Sequence, residues 1–275
     1  MLTRSTQARI FLRSFFLQTG WNFNKYQNLG LAFVMLPFLK ATYAQEPDNL
    51  PSVLQRYLED FNTQPVMASF CFGALAKQEE ILAKTTSLTD CQTRLVEWNN
   101  IKRSLSITTA SIGDRLFWGT LKPFTLLFAL CIWLFVGVNF FEINLPKQFS
   151  WWELFGAAII SFIVFNTIAL FVKWQGISLS YNSDNNGCFG LTKFDWNKTI
   201  YNAKWIGIIF SIGLLAWGIY YFTHDLYNVF AIQFITRTIL VAFFVSISLI
   251  TRDLRIPNMY IYLTAMLCFS IACLF

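Results

Sequence analysis

Charge is what this sequence has least of. Only 13% of its 275 residues are charged, where a soluble domain carries roughly 25%. Histidine occurs once, at His224, and no two of the six cysteines form a C-x-x-C pair. Cys71, Cys91, Cys131, Cys188, Cys268 and Cys273 therefore read as free thiols, three of them inside apolar runs. The basic residues are too dispersed to form the patch that nucleic-acid binding requires. No repeat of 20–50 residues is present. The N-terminus has no small-residue cleavage site after its apolar tract, and arginines interrupt that tract, which argues against a signal peptide.

What fills the space is apolar surface. Hydrophobic residues make up 55% of the chain, with 30 Phe and 10 Trp, and the mean hydropathy is +0.47. One water-soluble core cannot hide this much, so lipid is the solvent. A spanning helix needs about 20 mostly apolar residues to cross a hydrocarbon layer about 30 Å thick. Residues 124–141, 151–172, 205–222, 229–250 and 259–275 meet or approach that length. A shorter run, 29–44, contains Pro37 and Lys40 and reads as interfacial or re-entrant. The expected fold class is all-α: a polytopic membrane protein with an amphipathic N-terminal helix, re-entrant hairpins and about five transmembrane helices. Residues 1–123 form a mixed N-terminal region and 124–275 a transmembrane helix bundle.

Lys and Arg placement sets orientation. Arg4, Arg9, Arg13 and Lys25 crowd the tract 1–28, and Lys147 stands alone in 142–150. Lys173, Lys193, Lys198 and Lys204 follow, then a loop with none, then Arg252 and Arg255. The alternation places the N-terminus and the loops 173–204 and 251–256 in the cytoplasm, with residue 275 outside. Residues 8–19 read as a helix lying on the inner leaflet with Ile10, Phe11, Phe15 and Phe16 inserted. Residues 53–61 read as a short helix after the Pro47/Pro51 loop, and 77–103 as a cytoplasmic helical excursion. Arg237 lies mid-span without an acidic residue in its own helix, so it must face protein, a cavity or a partner.

Two stretches are too short to span and too apolar for a water-facing loop. They are 65–76, opened by Asn62-Thr63-Gln64, and 104–119, which contains Gly113-Asp114-Arg115. Both fit re-entrant hairpins, and both fit half-buried loops at the headgroup level. Asn62, Thr63 and Gln64 offer two amides and a hydroxyl in succession, the groups that read a neutral sugar in a dry pocket. Trp21 and Asn22 offer an aromatic platform and another amide. The structural alternatives are that Asn62 caps the following helix and that Trp21 anchors at the membrane interface. Asp114 is the lone carboxylate of an apolar stretch, a candidate for function or for pairing with Lys122.

Phe11-Leu12-Arg13-Ser14, Gly20-Trp21-Asn22-Phe23, Tyr26-Gln27-Asn28-Leu29-Gly30, Phe61-Asn62-Thr63-Gln64-Pro65, Leu75 to Glu80 and Gly113-Asp114 with Phe117 to Pro123 resemble motifs of one family. Phe165-Asn166, Lys173 to Gly176, Arg252 and Pro257 extend the likeness. It is the IID membrane subunit of the mannose/fructose/sorbose-family bacterial phosphotransferase permeases. The resemblance implies a site in the bacterial inner membrane and a hetero-oligomer with a IIC subunit. It implies a hexose-type sugar bound by that pair, and soluble IIA and IIB units that carry the phosphoryl group. No cofactor or metal is expected. His224, in the expected external loop, is no phosphoryl relay. The chain departs from the family pattern at 107–112 and 115, where Gly and Pro are replaced, and at Thr236-Arg237-Thr238. Those departures keep a second reading open: a diverged, non-transporting assembly or regulatory protein on the same scaffold.

Overall fold

The computed structural model describes residues 2–85, 87–137, 151–183 and 185–225. Among the described residues the regular structure is helical, with only two isolated β-bridges. The elements are α1 (Arg4–Arg13), α2 (Asn28–Thr42), α3 (Leu50–Tyr57), α4 (Ala68–Ala83), α5 (Leu88–Gly113), α6 (Lys122–Gly137), α7 (Trp151–Tyr181) and α8 (Trp196–Asp225). Contacts divide the chain into a unit of residues 1–211 and a unit of residues 212–275. Among the described residues, three helical stretches, Leu88–Ile132, Phe155–Tyr181 and Cys188–Ala216, are long and apolar enough to cross a membrane. The expected spans 229–250 and 259–275, Arg237, Cys268 and Cys273 lie outside the described residues.

The first unit is built around α4. Nine consecutive residues, from Ala68 to Ala76, are buried, the condition of a helix that is apolar on every side. Its main partner is α7, and the two backbones meet across small residues spaced by four. On α4 these are Ser69 and Gly73, and on α7 they are Gly176 and Ser180. A Cβ on Gly73 would strike the Ile177 carbonyl, and one on Gly176 would strike the Ser69 hydroxyl. Ser180 Oγ donates to the Phe70 carbonyl at 2.6 Å. This is the small-residue packing by which helices approach closely in lipid.

α1 caps this core and solves a problem in α2. Pro37 lies inside α2 and has no N–H, so the Phe33 carbonyl one turn back loses its helical donor. Arg13 Nη1 donates to that carbonyl at 3.0 Å and its guanidinium sits 4.6 Å from the Phe33 ring centre. At the C-terminal end of α1, the buried Lys173 of α7 donates to the Ser14 carbonyl at 3.3 Å. A cation there suits the negative end of the helix. Ile10 is fully buried in the protein rather than inserted in lipid, because it faces the α2 and α7 side; Leu12, Phe15 and Phe16 are the exposed apolar residues.

Residues 104–119 do not turn back on themselves. They lie within one helical run from Leu88 to Ile132. The irregularity takes the form of a π-helical segment, Asp114–Leu121, between α5 and α6. With β-branched residues at 107–109 where a turn would need Gly or Pro, the helix simply continues. His224 falls in the last turn of α8.

Candidate functional site

The polar motif Asn62-Thr63-Gln64 sits on an extended link between α3 and α4, and the tract before α2 holds it in place. Gln27 is buried and grips Thr63 at two points. Its Nε2 donates to the Thr63 carbonyl at 2.9 Å, and its Oε1 accepts from the Thr63 N–H at 3.1 Å. The Gln27 N–H donates to the Phe61 carbonyl at 2.8 Å. Asn28 Nδ2 donates to the Leu58 carbonyl at 2.7 Å, and Asn22 Nδ2 donates to Asn28 Oδ1 at 2.8 Å. Tyr26 bridges Asn22 on one side and Phe61 on the other, in a left-handed conformation with φ 57°. A non-glycine residue there is uncommon and must be held by its surroundings. The bridges and the Gln27 clasp do so.

The three motif residues then diverge. Gln64 Oε1 accepts from the Val66 and Met67 N–H groups at 2.8 and 2.9 Å, capping the turn that opens α4. Gly113 makes room for it: a Cβ there would lie 2.5 Å from Gln64 Cβ. The Thr63 hydroxyl is buried and pairs with Thr109 of α5 at 2.7 Å. Asn62 is exposed and lines a cleft of about 700 Å³ between the 59–62 link and α5. Tyr26, Asp60, Asn99, Asn100 and Arg103 share that lining.

A buried ionic cluster adjoins the cleft through Lys102. Glu79 of α4 has no exposed surface. It accepts from Tyr43 OH at 2.7 Å, from Tyr57 OH at 2.9 Å and from the Arg56 guanidinium. Burial and then the Glu79 charge push the Tyr43 and Tyr57 phenols above their ordinary value. Burial alone would lower Arg56, but the Glu79 carboxylate outweighs it and raises the guanidinium. Lys102, a buried residue of the cleft wall, donates to the Arg56 carbonyl at 3.0 Å and lies 3.8 Å from Glu59. Trp98 packs between the two cations, 5.6 Å from Arg56 and 5.4 Å from Lys102. Thus the Glu79 carboxylate joins α4 to α3 and to the end of α2, and Arg56 carries the link on to α5.

The other residues singled out from sequence lie apart from the cleft lining. Trp21 is half-exposed and packs edge-on against Phe23 at 4.9 Å. Asn22 is partly buried and occupied in the Asn28 contact. Asp114 is exposed at the start of the π segment and makes no ion pair among the described residues, while Lys122 lies 4.5 Å over the Trp118 ring. Sequence reasoning gave no role to Gln27, Glu79 or the Asn99-Asn100 pair. Their signals were the amide-rich tract 22–28, an acidic pair ending an apolar run, and the motif likeness at 26–30 and 75–80.

The family model of the PTS system mannose/fructose/sorbose family IID component matches residues 1–141. The chain belongs to that family. The IID chain is 32% identical over 181 residues to the mannose-specific EIID component of Escherichia coli (strain K12), covering 66% of this chain and 56% of that protein. It is 29% identical over 185 residues to the sorbose-specific EIID component of Klebsiella pneumoniae, covering 67% and 59%. With the fructose permease IID component of Bacillus subtilis (strain 168) it shares 30% identity over 180 residues, 66% and 57% of the two chains. The aligned stretch thus spans less than two thirds of each relative. A cryo-EM structure of the mannose transporter ManYZ with a microcin aligns with TM-score 0.54 at 22% identity, over 99% of the IID chain and 96% of that one. A second solved membrane protein aligns with TM-score 0.64, also at 22% identity, over 98% and 96%. These two show a shared fold.

Proposed function

We propose that this chain is the IID membrane subunit of a phosphoenolpyruvate-dependent sugar permease. In this reading it forms the sugar-binding and translocation unit with a IIC subunit in the bacterial inner membrane. Soluble IIA and IIB proteins carry the phosphoryl group. The family match across residues 1–141 carries the proposal, because that stretch contains both the Gln27 clasp and the motif it holds. Residues 1–123 face the substrate, and Asn62 presents its carboxamide to a hexose-type sugar. Thr63 and Gln64 serve the sugar through the shape of the link. Trp21, Asn22 and Asp114 belong to the same substrate-facing region. The N-terminus lies in the cytoplasm and residue 275 outside, a reading supported by the Lys and Arg alternation.

The test is uptake of labelled mannose, fructose and sorbose by bacteria that lack their own IID subunit but make IIC, IIA and IIB. Uptake restored by this chain supports the reading. The uninterrupted helix through 107–113 favours one alternative, a IID scaffold that assembles without transporting. Co-purification with IIC and no uptake of any of the three sugars would select that alternative.

A further inference from the structure

The amide side chains around the clasp fall into two groups. Asn22, Gln27, Asn28 and Gln64 spend their carboxamides on the fold, each bonding another residue at 2.7–3.1 Å. Asn62, Asn99 and Asn100 spend theirs on nothing among the described residues, and all three are exposed. These unspent amides line one cleft, Asn62 from the α3–α4 link and the other two from α5. A carboxamide carries two donors and an acceptor. Three of them converging from two walls suit a ligand with many hydroxyl groups.

Two further features of the cleft point the same way. Its charges nearly cancel, since Lys25, Lys102 and Arg103 share the lining with Glu59 and Asp60, and Lys102 already faces Glu59 at 3.8 Å. Such a lining does not select an ion. Tyr26 also lines the cleft, half-exposed and in its left-handed conformation. Held backbone strain of this kind concentrates at ligand-binding positions. Aromatic surface beside a few placed amides is a common lining of small-molecule sites.

We propose that Asn99 and Asn100 of α5, with Tyr26 as the aromatic face, complete the hexose-reading surface that Asn62 begins. This inference rests on the reading of the chain as a sugar-permease subunit and names the second wall of its site. Because both asparagines are exposed and bonded to no other described residue, replacing them leaves the packing alone.

The experiment is equilibrium dialysis of labelled mannose, fructose and sorbose against the purified complex of this chain with its IIC partner. The Asn99→Ala/Asn100→Ala double variant should bind the preferred sugar about tenfold more weakly or worse, the loss expected for hydrogen bonds left unmade in a pocket. Asn99→Asp keeps the side chain's shape and removes its donors, and it should weaken binding in the same direction. Wild-type affinity in both variants overturns the inference while leaving uptake, and with it the permease reading, intact. A wild-type complex that neither binds nor takes up any of the three sugars overturns the permease reading, and this inference falls with it.

Discussion

Arg13 and Pro37 form a pair whose energetics can be worked out before any measurement. Pro37 leaves the Phe33 carbonyl without its helical donor, and Arg13 supplies one at 3.0 Å. Arg13→Met keeps a long apolar stem and removes the donor. A hydrogen bond from a charged group contributes about 1.5–3 kcal/mol, and the contact with the Phe33 ring adds about 0.5–1 kcal/mol at a partly exposed site. The substitution should therefore cost about 2–4 kcal/mol. At roughly 2–4 °C per kcal/mol for a chain of this size, the detergent-purified protein should lose its monodisperse peak about 4–16 °C earlier. Pro37→Ala restores an N–H to the same carbonyl. In that background Arg13→Met should cost only about 0.5–1 kcal/mol, the ring contact alone. The readout is size-exclusion chromatography after heating, with four proteins in a double-mutant cycle. Equal shifts with and without the Pro37→Ala change would refute the coupling and return Arg13 to a surface role.

Further tests address the core, the ionic cluster and the chain's accessibility. Gly176→Val should abolish the close approach of α4 and α7 and remove folded protein from the membrane, whereas Gly156→Ala, where a Cβ meets nothing within 4 Å, should be silent; expression level decides. Glu79→Ala leaves Arg56 and two phenols without their acceptor and should cost about 3–5 kcal/mol, read as a lower unfolding temperature, and Arg56→Met added to it should recover part of the loss. Tyr43 and Tyr57 are raised above the ordinary tyrosine value of 10.0, so the stability they contribute is full below about pH 10 and drains away as pH rises through their folded values; tyrosinate absorbance should show both phenols ionising last. Cys188 is exposed and Cys71 buried, so a maleimide should label the first in the native protein and the second only after unfolding. A cytoplasm-active reporter should work within 183–200 and fail after residue 275, and the reverse at both sites would overturn the proposed orientation.

The membrane helices were legible because lipid imposes length and apolarity together, and residues 155–181 satisfy both without ambiguity. The core was not. Residues 65–76 are as apolar as a lipid-facing arm, and composition cannot tell lipid from protein as the surrounding medium. Ser69, Gly73, Gly176 and Ser180 were the only hint that two backbones meet there. The motif at 62–64 was visible, but its division of labour was not. Gln27 clasps Thr63 across 36 positions of sequence, a distance no local periodicity spans. The capping suggested for Asn62 falls instead to Gln64, whose Oε1 takes the Val66 and Met67 N–H groups of the turn before α4. The hairpin expected at 104–119 is a continuous helix, carried through 107–112 by residues that include neither Gly nor Pro.

The π segment Asp114–Leu121 also acts as a phase shifter. A π turn closes its backbone ring over i→i+5 and so stores one residue more than the α-helix would use. One residue is about 100° of rotation in a helix of roughly 3.6 residues per turn. The α5 face that meets Thr63 and Gln64 and the α6 face that meets α7 belong to one rod, yet their angular relation is set by this stored residue. Thr120 Oγ1, bonded to the Arg115 carbonyl at 2.8 Å, pins the widened turn. Were it to relax to α geometry, the membrane half of the rod would keep its axis and swing every side chain by a quarter turn or more, presenting a different face to its neighbours.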